Sequence, residues 1–295
     1  MYVKYELRKT SKLIVPKGPN FARAPTRIYD IDGTVIKFKA PRHRSYSIKD
    51  DPILPKRHSS LENYIFRSTY AEGFNVNDNW EEAGFFKHTW DFYGPWFTGV
   101  QAILKMYFSL VKPVNYEHQF SLFHPRAFEK IISDYLINCY AKRRSQTRQG
   151  NPYQYIAPVN WHPLENFPCV AVRLEVHPDY KVAQGAIRYL VFFPISDKVM
   201  AYINFDPSQL LALPQEELDK RVDRSTMLEL MNNIIDSFEL KLSPQAQAQQ
   251  KAALAGLDDS SLVKDFPPIQ WDQVPLAESS AEDKIEDQRH SESLF

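Results

Sequence analysis

The sequence predicts an α+β protein: an antiparallel sheet packed against amphipathic helices. Three observations lead there. The segment from Pro168 to Phe205 holds three apolar runs separated by two polar breaks. Two stretches carry apolar residues at helical spacing, Phe128 to Tyr140 and Met227 to Phe238. The alternating β-α pattern of a parallel doubly wound sheet is missing.

The first run alternates strictly. Val170, Val172, Leu174 and Val176 point one way and Ala171, Arg173 and Glu175 the other, the period of two of a half-buried strand. The second, Ala186 to Phe193, is apolar on both sides apart from Arg188 and reads as the central strand of the three. The third puts Val199, Ala201, Ile203 and Phe205 on one face and Met200, Tyr202 and Asn204 on the other. Breaks this short require antiparallel neighbours. Cover comes from the two helical stripes, the first entered at Pro125 and closed by Lys142, Arg143 and Arg144, the second with Ser225 as N-cap.

Elsewhere the elements are shorter. Asp32-Gly33 between Ile28–Ile31 and Val35–Phe38 predicts a tight hairpin, because both turn residues tolerate positive φ. Leu61 to Phe66 reads as a strand or a short helix. Phe97 to Val111 reads as a buried amphipathic helix, too short and too polar at Gln101 and Lys105 to span a membrane. Short helices are expected at 209–213 and 215–222, on either side of Pro214. Three regions follow: a basic segment with the hairpin (1–66) packed on the body, an α+β core (67–243), and a low-complexity, acidic tail (244–295) that is partly mobile. Within that tail Trp271 is expected to dock.

Charge is balanced overall but uneven. Residues 1–60 carry roughly nine more basic than acidic groups, and the last forty roughly seven more acidic ones. Arg42, His43, Arg44 and Tyr46 are the one short run that mixes cations with a stacking ring, too little for a nucleic-acid surface. The first residues have no apolar core of a signal peptide, and two cysteines, Cys139 and Cys169, suit a reducing compartment, so the expectation is a cytoplasmic protein. A disulfide between the two cysteines is compatible with the sequence and not required by it.

Motifs for chemistry are sparse. His124, His162 and His177 each precede a proline, lie far apart and read as residues at element ends. The spacings of metal ligands, phosphate loops and acyl nucleophiles do not occur, so no metal or cofactor is expected. Cys169 beside an apolar strand reads as a buried thiol. Asp30-Ile31-Asp32-Gly33-Thr34 resembles the first motif of the haloacid-dehalogenase phosphohydrolases, which implies a nucleophile at Asp30, an acid/base at Asp32 and magnesium between them. Here Thr26-Arg27-Ile28-Tyr29 is too polar for that family's buried strand. Ala201 and Tyr202 stand where its late acidic motif needs a carboxylate. The motif therefore reads as a hairpin turn.

Trp80, Phe85, Phe86, Trp90, Phe92, Tyr93 and Trp96 crowd one segment. They form either a second core layer or a recognition surface, the latter with Trp80, Trp90, Phe92, Tyr93 and Trp96 as anchors. Tyr189 to Lys198, running into Met200 to Phe205, resembles the strand–Pro–x–Ser-Asp–strand pattern of bacterial immunity proteins encoded beside polymorphic toxins, including type VI secretion effectors. That resemblance implies a non-enzymatic protein that binds and neutralises a cognate toxin. A phosphatase or hydrolase with an assembled site, and an adaptor of a secretion assembly, are the alternatives.

Overall fold

A computed structural model describes residues 13–42, 45, 58–70, 76–95, 98–114, 121–141, 155–179, 186–211, 213 and 215–271. Its centre is the expected meander. Strands β8 (Val172–Pro178), β9 (Arg188–Pro194) and β10 (Met200–Gln209) pair antiparallel in that order. They belong to a larger sheet. A first meander of β4 (Arg67–Tyr70), β5 (Val76–Tyr93) and β6 (Val100–Pro113) joins a second of β7 (Tyr155–Pro163), β8, β9 and β10 through a β6–β10 pairing. The order is β4-β5-β6-β10-β9-β8-β7, antiparallel throughout.

The expected helix at 97–111 is therefore β6, a central strand. Ala102, Leu104, Met106, Phe108 and Leu110 face one side of the sheet, with period two. The other side holds buried Ile103 and Val111 but also Gln101, Lys105, Tyr107 and Ser109, so the run alternates, and the helix reading overlooks that period of two.

Each face of the sheet has its own cover. On the first lies a small sheet of β1 (Thr26–Ile31), β2 (Thr34–Lys39), β3 (His58–Ser59) and β11 (Glu239–Lys241), ordered β11-β2-β1-β3, with β3 parallel to β1. The hairpin is as expected: Ile31 pairs with Thr34 around Asp32 (φ 48°) and Gly33 (φ 81°), both left-handed, as a type I′ turn requires. Phe38 is the seam. It stacks on Phe238 at 4.7 Å and meets Phe86 edge-on at 5.3 Å, joining small sheet, large sheet and helix end. Helices α2 (Gln215–Arg221) and α3 (Ser225–Asp236) follow β10, and α3 buries Met227, Leu230, Met231, Ile234 and Ile235. Residue 209 ends β10 instead of opening a helix. Ser225 is not the N-cap. Arg224 occupies that position without a side-chain bond, and Asp223 Oδ1 accepts from the Ser225 amide at 2.8 Å.

The second face is covered by α1 (Pro125–Leu136), which buries Phe128, Ile131, Ile132, Tyr135 and Leu136. His124 is its N-cap, and the helix runs on as a π turn, Ile137–Ala141. Lys142, Arg143 and Arg144 lie outside the described residues. Leu61–Asn63 is a single 3-10 turn.

In the segment expected as a low-complexity tail, Ser243 caps α4 (Pro244–Leu254) through a 3.1 Å bond from the Ala246 amide. Beyond it a strap without regular structure crosses the second face. Val263 donates to Glu129 Oε1 at 2.7 Å and accepts from Trp161 Nε1 at 2.9 Å. Trp271 docks as expected, its indole N–H donating to the Tyr155 carbonyl at 2.7 Å. With the Ile269 amide donating to the Ala157 carbonyl at 2.9 Å, the strap occupies two carbonyls of edge strand β7, and an occupied edge offers fewer partners for unwanted pairing.

Candidate functional site

Placing the aromatic segment decides which of its side chains can meet a partner. Strand β5 is 18 residues long, and its alternate side chains enter the core. Trp80 is 2 % exposed, Trp90 0 % and Phe92 1 %. These three are core side chains, which corrects their assignment to a recognition surface. Trp90 also donates its indole N–H to the Pro41 carbonyl at 3.1 Å, pinning the chain after β2 to β5. Tyr93, 38 % exposed, is at the surface. Trp96 lies outside the described residues.

Tyr93 opens onto a cleft of about 370 Å³ at the end of β5, lined by Lys17, Gly18, Pro19, Asn20, Arg23, Pro41, Arg42 and Asp91. Its outer wall is the segment before β1. Lys17 exchanges two backbone bonds with Tyr93, at 2.8 and 2.9 Å, and so holds that segment against the strand. Gly18 is required there: a Cβ at this position would lie 2.2 Å from the Phe92 ring. Asn20 starts a 3-10 turn, Phe21–Arg23, by accepting from the Ala22 amide, which sets Arg23 on the wall. Arg42 enters behind Pro41, whose carbonyl Trp90 holds.

The electrostatics of the cleft are unbalanced. Some cations elsewhere have carboxylate neighbours, as Lys37 has Glu239, Lys112 has Glu81, Lys105 has Asp206 and Lys130 has Asp134. Among the described residues, Lys17, Arg23 and Arg42 are all exposed and have no ion-pair partner. The one carboxylate in the lining, Asp91, is 1 % exposed and accepts from the Tyr93 hydroxyl at 3.4 Å. Three exposed cations around one sheltered carboxylate make an anion-attracting recess. Two are guanidiniums, whose planar donor forks match the oxygens of a carboxylate or phosphate.

Comparison with protein-family models, with curated proteins and with solved structures finds no match to this chain.

The other candidates fall elsewhere. Asp30 Oδ1 accepts from the Gly33 amide at 2.9 Å, and Asp32 Oδ2 from the Leu61 amide at 3.1 Å. Both carboxylates thus shape the hairpin and its contact with the next turn. Among the described residues, no three His, Cys, Asp or Glu side chains gather to hold a metal ion. His124 caps α1, and His177 Nε2 meets Glu175 at 2.7 Å on β8. His43, Arg44 and Tyr46 lie outside the described residues.

The Ser-Asp pair in the segment resembling immunity proteins is structural. Asp197 takes the Ser121 hydroxyl, its carbonyl the Leu122 amide, and its own amide reaches Gln249 Oε1 at 3.2 Å. It ties the β9–β10 turn to the entry of α1 and to α4.

Both described cysteines are free. Burial pushes the Cys169 thiol well up, so it stays protonated and unreactive. Maleimide should leave Cys169 unmodified in native protein and label it once the chain is unfolded, as read by peptide mass spectrometry.

A second group of ionisable side chains lies under the π turn. Glu82 of β5, with Ser109, faces Tyr135 and Tyr202, both buried. Burial raises the Glu82 carboxyl, and the bond to Ser109 offsets only part of that. A raised carboxyl binds its proton more tightly in the folded than in the unfolded chain. Its neutral form is therefore compatible with full stability below the ordinary carboxylate range, and stability falls as pH rises through the raised value. Each tenfold tightening of proton binding corresponds to about 1.4 kcal/mol. Glu82→Gln should melt at a higher temperature than wild type at about pH 8 and at the same temperature at about pH 4. The reverse order at about pH 8 would mean that folding favours the charged form of Glu82.

Proposed function

We propose that this protein is a binding protein of the immunity class, which captures a bacterial toxin in the cytoplasm and blocks it without chemistry of its own. The observation that carries the reading is the cleft at the end of β5. It gathers Lys17, Arg23 and Arg42, none with an ion-pair partner among the described residues, beside the exposed ring of Tyr93. Arginine and tyrosine on a recessed surface are the groups that dominate protein–protein interfaces. Unpaired cations steer an acidic partner into contact and speed its capture. The body behind the cleft is rigid: β5 is locked on one side by β6 and at its end by Lys17. A preorganised contact loses little freedom on binding. The likeness of the β9–β10 segment to immunity proteins supplies the toxin as partner. Its Ser-Asp residues serve the scaffold, so contact is assigned to the cleft.

The test is co-expression with each neighbouring gene whose product arrests growth when expressed alone. Wild type should restore growth and co-purify with one toxin. Arg23→Glu combined with Arg42→Glu should lose both while remaining folded. Failure of wild type to protect against any neighbouring toxin would sink the reading. So would a magnesium-dependent phosphatase activity that Asp30→Asn abolishes.

A further inference from the structure

We propose that what enters this cleft is an acidic polypeptide segment that also carries apolar side chains, gripped by the cations within and by an apolar rim beside them. The inference rests on the binding reading above and adds the chemistry of the partner.

The rim follows from the strand-like segment that walls the cleft. Ile14 and Pro16 are buried, while Leu13, Val15 and Lys17 turn outward with period two. Ile14 is fixed by its amide to the Arg221 carbonyl and by its carbonyl to the Asp223 amide, both at 2.8 Å. The outward row is therefore held in place and still presents Leu13 (47 % exposed) and Val15 (51 %) to solvent. Lys17, the third member of that row, pairs with Tyr93 and lines the cleft. Tyr93 in turn stands opposite Val100, and the Gln101 carbonyl accepts from Leu210, which is 45 % exposed. Sheet pairing thus brings Val15, Tyr93 and Leu210 to the same end of the molecule as Lys17, Arg23 and Arg42.

That combination discriminates between occupants. A free phosphate would use the cations and leave the aliphatic rim idle. A nucleic acid wants rings to stack on, and the described lining of the cleft holds one ring, Tyr93. An acidic segment with apolar residues uses both halves. A cleft of about 370 Å³ has room for a few side chains of a protruding segment, not for a folded domain.

The experiment titrates full-length protein with four probes: a peptide alternating Glu with Leu and Phe, an all-Glu peptide of equal length, inorganic phosphate, and a single-stranded oligonucleotide. The variants are Arg23→Glu with Arg42→Glu, and Val15→Ser with Leu210→Ser, all at exposed positions and checked by thermal melting. The mixed peptide is expected to bind most tightly. Charge reversal should weaken it at least tenfold and flatten its salt dependence. The serine pair should weaken it several-fold and leave the salt dependence unchanged. Absence of mixed-peptide binding, undiminished binding to either variant, or binding of all-Glu peptide, phosphate or oligonucleotide at least as tight would each overturn the proposal. Growth rescue by wild type that both variants retain would overturn it and leave the immunity reading standing. If wild type gives no rescue, the immunity reading falls and the peptide titrations still judge the cleft.

Discussion

Trp90→Ala is expected to destabilise the fold by about 3–5 kcal/mol, the range for truncating a fully buried large aromatic. The indole is 0 % exposed and sits opposite Leu104 on β6, with His88 4.7 Å away. Its removal leaves a cavity in a region already fixed on both sides, so collapse can recover little of the loss. The substitution also strips the Pro41 carbonyl of its donor. For a domain of this size the loss should lower the melting temperature by several degrees and shift the urea midpoint. Partner affinity of the folded fraction should change far less, because Trp90 supports the wall of the cleft from behind and does not line it. A large loss of affinity with unchanged stability would return Trp90 to the surface.

Phe38→Ala should cost a similar amount, again about 3–5 kcal/mol, with a different signature. Phe38 is 0 % exposed and contacts rings from four directions: Tyr29 on its own sheet, Phe86 and Phe108 on the large sheet, and Phe238 after α3. The small sheet rests on the large one through this cluster. Truncation should therefore loosen the small sheet before the large one. Hydrogen exchange is expected to rise in β1 and β2 while β6 and β10 keep their protection. Uniform loss across both sheets would mean that the two unfold as one unit.

Lys17, Arg23 and Arg42 were visible in the sequence only as part of a basic N-terminal region. They lie 6 and 19 residues apart and follow no motif. What unites them is the pairing of Lys17 with Tyr93 and the bond from Trp90 to Pro41, contacts across 76 and 49 residues. Tyr93 was singled out from the sequence for the company of its aromatic neighbours. Trp80, Phe85, Phe86, Trp90 and Phe92 are core, because alternate residues of a long strand must enter the layer beneath.

Local pattern alone settled the meander, the Asp32-Gly33 turn and the stripes of α1 and α3, since each depends on side-chain period or on a turn residue's tolerance of positive φ. Tertiary structure decided the rest. It paired residues 100–113 with β10, far along the chain, although their own period of two already marks them as a strand. It sent Trp80, Trp90 and Phe92 inward and left three cations around one recess. Burial and juxtaposition are properties of the packed chain, and neither is written in the order of residues along it.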